Sequence, residues 1–236
     1  MPPPSRQRLK DLAGLARRKG RRALGRFLVE GVRAVEAALA AGAAMDEVLV
    51  TAKAAESPRV RAMLERSEAP VHTVPARDLA RITDVQHGQG VVAVAHAVVR
   101  EDATALDGAR ALLVLDGVQD PGNVGTLIRT AAWFSADAVL CGPGTADPES
   151  PKGARSAAGA LWDLALVRLH DAADYAAALD GLRARGLALW GADLDGAPAA
   201  VWAPPPGGAL VLGSEGHGLS AEAAARLDGR VRIAVA

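Results

Sequence analysis

Short apolar runs alternate with stretches of helical hydrophobic spacing along most of the chain. Residues 27–30 (FLVE) read as a strand. Residues 32–41 follow as a helix, because Val32, Val35, Ala38 and Leu39 recur at helical spacing and Gly42 stops the run. Strands are predicted over 48–50, 71–74 and 91–99, with helices over 58–66 and 76–81. The stretch 100–110 (REDATALDGAR) is polar, poor in core residues, and reads as a linker. Beyond it, strands over 112–115, 138–141, 165–169, 188–191, 210–213 and 231–235 alternate with helices over 124–134, 154–161, 172–185 and 221–227. Strand–helix alternation predicts an α/β fold in two parts. The uninterrupted apolar strands of the second part predict a mostly parallel sheet covered on both faces. Ligands of such sheets bind in loops beyond the carboxyl ends of the strands. The predicted organisation is a basic segment 1–22, a small α/β domain 23–99, the linker 100–110 and a second α/β domain 111–236.

Composition narrows this less than charge placement does. With 50% hydrophobic residues the chain is not of a disordered type. The formal net charge is zero, which by itself argues against a nucleic-acid partner. The distribution argues the other way. The first 26 residues hold nine basic side chains against Asp11 alone, a local charge of +8, so the rest of the chain carries −8. Arginine, which supplies most of the positive charge, binds phosphate through a planar fork. The single cysteine, Cys141, permits no intrachain disulfide and fits a reducing, cytoplasmic compartment. No apolar stretch is long enough to predict a membrane span.

Several common chemistries find no motif. There is no G-x-G-x-x-G, no G-x-x-x-x-G-K-[ST] and no G-x-S-x-G. The five histidines (His72, His87, His96, His170 and His217) show no metal-ligand spacing, so no metal is expected. Three polar, glycine-bearing segments remain. Residues 116–129 (DGVQDPGNVGTLIR) follow a strand, and Asn123 suits a helix N-cap. Gly125 allows close approach to the first helical turn, and Thr126, Arg129 and Trp133 share one face. Residues 213–220 (GSEGHGLS) place three glycines in six residues after a strand, as a backbone wrapped around a ligand would. Residues 151–159 (PKGARSAAG) combine Lys152 and Arg155 with small residues. Taken singly, these segments read equally as a capped surface helix, a flexible glycine loop and the start of a surface helix.

Their order and spacing together resemble the SpoU/TrmH family of RNA ribose 2′-O-methyltransferases of the SPOUT superfamily. The family's N-x-G-x-x-x-R motif is similar to 123–129, and its R-x-S-x-G-A stretch to Arg155, Ser156, Gly159 and Ala160. Its G-x-E-x-x-G motif is similar to Gly213, Glu215 and Gly218, and 27–31 (FLVEG) and 89–92 (QGVV) resemble the borders of its substrate-binding domain.

The resemblance implies an N-terminal RNA-binding α/β/α domain of ribosomal-protein type and a SPOUT α/β domain with a C-terminal trefoil knot, a departure from the rule that chains do not thread loops. It implies S-adenosylmethionine as cofactor, a homodimer and ribosomal RNA, with 23S rRNA preferred, as substrate. A tRNA substrate or a non-catalytic RNA-binding protein is the alternative. The implied catalytic residues are Asn123, Arg129 and Glu215. Leu212, Gly213, Glu215, Gly218 and Ile233 are implied to hold the cofactor. Arg17, Arg18, Arg21, Arg22, Lys152 and Arg155 are the expected RNA contacts. A guanidinium stays protonated, so phosphate binding and oxyanion stabilisation suit Arg129 better than proton removal. The family's third motif opens on the last strand and runs on through an S-L-N turn and a helix. Here 231–236 (VRIAVA) match only its opening strand, with Ala-Val where Pro-Met is usual, and the remainder is expected to follow residue 236.

Overall fold

The computed structural model describes residues 4–83, 89–204 and 206–233. In chain order it contains α1 (Arg6–Gly14), α2 (Arg18–Leu24), β1 (Arg26–Glu30), α3 (Val32–Ala40), β2 (Met45–Val50), α4 (Ala52–Ala55), α5 (Pro58–Glu65), β3 (Val71–Thr73), α6 (Ala76–Ile82) and β4 (Val91–His96). It continues with β5 (Ala111–Asp116), α7 (Pro121–Trp133), β6 (Ala138–Cys141), α8 (Pro151–Ala157), β7 (Ala165–Arg168), α9 (Ala172–Ala184), β8 (Leu189–Pro198), β9 (Gly208–Gly213), α10 (Ala221–Ala224) and β10 (Gly229–Arg232). Two compact units form: Met1–Val98 with Asp147–Asp163, and Val99–Ala146 with Leu164–Ala236.

The first unit is built on a mixed sheet of order β1-β4-β2-β3, in which β4 runs antiparallel to both neighbours and β2 parallel to β3. The basic N-terminus, read as an RNA-contacting segment, is helical and part of this core. Leu12 and Leu15 are buried with Leu28, Leu79 and Ile82, a spacing that the dense charge around them hides from a pattern reading. Arg21, expected to contact RNA, is only 5% exposed. Its guanidinium donates to the carbonyls of Leu15 and Ala16 and pairs with Asp147 at 2.5 Å, leaving it no face for a phosphate. The segment Asp147–Asp163 reaches this unit through further contacts. Trp162 stacks on Phe27 at 5.8 Å, Glu149 accepts the Val98 N–H, and Gly159 (φ +102°) lies where a side chain would collide with Ala37.

The second unit holds a six-stranded, all-parallel sheet of order β10-β8-β9-β5-β6-β7. Its central strands are apolar on both faces, as a two-sided parallel sheet requires. Val114, Leu140, Val167 and Val211 lie at zero exposure among α9 residues Tyr175, Leu179 and Leu182. The polar stretch read as a linker contributes to this core. A 3-10 turn at Ala103–Leu106 buries Leu106, Ala109 is buried beside it, and the Arg100 backbone bridges to β7. The strand predicted over 188–191 runs on to Pro198, and the closing strand is Gly229–Arg232. The expected continuation over 234–235 lies outside the described residues, as does His87.

Candidate active site

The second unit brings two of the three polar segments together at the carboxyl edge of its sheet. β5 and β9 are parallel neighbours, with Asp116 opposite Gly213, so the loops leaving them start side by side. The first loop turns at Gly117 (φ +76°), whose N–H donates to Thr145 Oγ1, and enters α7. Asp120, not Asn123, caps this helix: its carboxylate accepts the Asn123 N–H at 3.0 Å. The proline that follows, Pro121, suits the first helical position, so the helix begins a turn earlier than the apolar periodicity suggested. Asn123 is thereby released for another contact, and its side-chain amide donates to Glu215 across the two loops.

The second loop folds tightly on itself. Ser214 and Gly218 exchange two backbone hydrogen bonds of 2.9 Å, and Gly218 takes φ +67°. A Cβ on Gly213 would lie 2.4 Å from the Gly218 carbonyl, so this position accepts hydrogen alone. Glu215, Gly216, His217 and Gly218 are exposed along the rim.

A cleft of about 780 Å³ opens beside this loop, lined by residues 214–219 and by Leu194, Val231 and Ile233. Of the residues expected to hold the cofactor, Glu215, Gly218 and Ile233 line this cleft, whereas Leu212 and Gly213 form the end of β9. Its lining mixes the apolar side chains of Leu194, Leu219, Val231 and Ile233 with the charged ones of Asp193, Glu215, Arg230 and Arg232, and its volume suits a small-molecule ligand such as an adenosine derivative. The pattern reading missed the β8 wall, where Leu194 stands alone in a polar run, and the Arg230–Asp193 ion pair of 3.0 Å. It also missed Asp116, an acid at the end of an apolar strand, only 3% exposed.

Arg129 lies on the solvent side of α7, whose opposite face buries Val124, Ile128 and Ala131. Among the described residues it makes no hydrogen bond or ion pair. Thr126 and Trp133 are exposed with it, Trp133 at 84%. In the first unit, Arg17, Arg18 and Arg22 are exposed, Lys152 is exposed on α8, and Arg155 pairs with Glu30 at 3.0 Å. Among the described residues no group of three or more His, Cys, Asp or Glu side chains could hold a metal ion. No described helix is long and apolar enough to cross a membrane.

A family model described as the SpoU rRNA methylase family matches residues 110–236. The chain belongs to this family. A second model, an MRM3-like substrate-binding domain, matches residues 6–93. Among relatives of this SpoU-family chain, a Bacillus subtilis protein named 23S rRNA (guanosine(2553)-2′-O)-methyltransferase RlmP is 34% identical over 94% of this chain and 85% of its own. Among solved structures, a TrmH-family protein from Porphyromonas gingivalis superposes with a TM-score of 0.84 at 34% identity, covering 99% of this chain and 90% of that one. The SpoU methyltransferase AviRb from Streptomyces viridochromogenes, solved with AdoMet, gives a TM-score of 0.86 at 25% identity over 98% of this chain and 90% of that one.

Proposed function

We propose that this SpoU-family chain methylates a ribose 2′-hydroxyl of ribosomal RNA, in the 23S molecule, using S-adenosylmethionine. The observation that carries the reading is the Asn123–Glu215 hydrogen bond, which joins the two family motifs at the rim of one cleft. The N-terminal substrate-binding match and the RlmP relative support ribosomal RNA as the substrate. When bound, the cofactor supplies an electrophilic methyl group on a sulfonium.

The chain's own residues supply the rest. The Ser214–Gly218 loop and Ile233 hold the cofactor through main-chain groups, with Leu212 and Gly213 fixing the loop's base. Asn123 and Glu215 set the spacing of the two loops. Arg129, permanently cationic, binds a substrate phosphate and stabilises charge that develops on the ribose oxygen. Aligning the reacting groups supplies much of the remaining acceleration. The reading includes a cytoplasmic homodimer, for which the adjacent exposed Trp133 and Phe134 at the end of α7 supply apolar surface. It also includes the family's trefoil knot.

Mapping of 2′-O-methyl groups in a deletion strain tests the substrate. One rRNA position is expected to lose its methyl group. Loss from a tRNA alone would replace rRNA by tRNA, and no loss with no cofactor binding by calorimetry would leave a non-catalytic RNA-binding protein.

Phosphate contact by the N-terminus has its own test. Deletion of that segment would remove Leu12 and Leu15 from the core, so substitution is the cleaner probe. Changing Arg17, Arg18 and Arg22 together to alanine is expected to lower the slope of log affinity for RNA against log salt by about 2. Cofactor affinity should stay unchanged, and an unaltered slope would remove these residues from the RNA contact. Arg21→Ala should instead destabilise folding by about 3 kcal/mol in urea titration, because it leaves Asp147 without its guanidinium.

A further inference from the structure

Burying a carboxylate costs free energy unless strong partners compensate it. Asp116 is buried at the end of β5, and its Oδ2 accepts the Ser220 N–H at 2.6 Å, a short charge-assisted hydrogen bond. The same residue faces Gly213 in the β5–β9 register. Asp116 therefore meets both ends of the glycine loop: Gly213 across the sheet and Ser220 through its carboxylate. Between them the Ser214–Gly218 bridge closes the loop.

The surroundings hold Asp116 in this role. Thr145 Oγ1 donates to the Leu115 carbonyl at 2.7 Å and accepts the Gly117 N–H at 3.1 Å, fixing the chain on either side. Gly142 leaves room for the Tyr175 ring, since a Cβ there would lie 2.8 Å from it. Burial, and then the Asp116 carboxylate, push the Tyr175 phenol up, so it remains neutral beside the acid.

We propose that Asp116 is a positioning residue for the cofactor, clamping the far end of the Gly213–Ser220 loop through the Ser220 amide so that the loop is formed before ligand arrives. The inference rests on the proposed S-adenosylmethionine site. A loop already ordered does not lose that freedom on binding, so its clamp raises affinity without touching the ligand. An amide oxygen can accept the same N–H, so Asp116→Asn preserves the clamp and Asp116→Ala removes it.

Two readouts test this on the full chain. Hydrogen exchange of the ligand-free protein should show faster exchange over 214–220 in Asp116→Ala than in wild type or Asp116→Asn. Calorimetry should show S-adenosylmethionine bound about tenfold more weakly by Asp116→Ala, and within about threefold of wild type by Asp116→Asn. RNA affinity should be the same in all three, which a general loss of structure would not allow. Unchanged exchange and affinity in Asp116→Ala would overturn the proposal, as would an Asn variant as weak as the Ala variant. If Asp116→Ala does not fold, Ser220→Pro against Ser220→Ala replaces it. Ser220 Oγ caps α10 by accepting the Ala223 N–H at 3.2 Å. Both variants lack this hydroxyl, but only proline lacks the N–H, so equal exchange rates over 214–219 would overturn the clamp. A wild-type protein that binds no S-adenosylmethionine would defeat the cofactor assignment, while the exchange result would still decide the clamp.

Discussion

Arg129→Ala will lower the single-turnover rate of RNA methylation by about 100-fold or more, with S-adenosylmethionine affinity and thermal stability unchanged. The side chain stands on the solvent face of α7, while Val124, Ile128 and Ala131 anchor the opposite face. Its removal therefore opens no cavity and strands no partner. What is lost is a fixed positive charge at the place assigned to the ribose and its phosphate. Developing negative charge is stabilised best by such preorganised donors. Arg129→Lys keeps the charge and loses the planar fork, so it should recover only part of the rate. Single-turnover measurements with saturating RNA separate this from weakened binding, and an alanine variant within about fivefold of wild type would remove Arg129 from the chemistry.

The second large effect is expected at Gly213. A methyl group there would lie 2.4 Å from the Gly218 carbonyl carbon and oxygen, and these are backbone atoms that cannot swing aside. Gly213→Ala must push the Ser214–Gly218 bridge open and displace Glu215 from Asn123. Calorimetry should show cofactor affinity lower by about tenfold or more, equivalent to about 1.4 kcal/mol. The melting temperature should fall as well, since β9 lies inside the sheet between β8 and β5. Normal affinity would mean that the loop rearranges without cost and that its tight geometry is not what holds the ligand.

The parts of this protein that were legible in its sequence are the local ones. Apolar runs such as 112–115 specify buried parallel strands, because both faces must be covered. Glycine clusters after strands mark close backbone approach or left-handed turns: Gly213 lies against the Gly218 backbone, and Gly218 takes φ +67°. Asn123 shows the limit of that reasoning. Its residue type fits an N-cap, but Asp120 lies three positions earlier and takes the role. The N-terminal arginines show another limit. Arg18 and Arg21 are the same letter three residues apart, yet one is exposed and the other buried against Asp147.

By itself the sequence determined the strand–helix alternation, the parallel character of the second sheet, the two glycine-bearing loops at strand ends and the resemblance to the SpoU family. These follow from periodicity, capping and backbone freedom, which act over a few residues. Only the tertiary structure decided that Asn123 meets Glu215 from 92 residues away, that Asp116 holds Ser220, and that Asp147–Asp163 completes the first unit. Strand order sets the exposed Asn123–Glu215 contact, and burial of the Asp116 carboxylate sets its bond to Ser220. Long-range packing sets both, because an unpaired buried charge is too costly to keep, and no local pattern in the chain announces either.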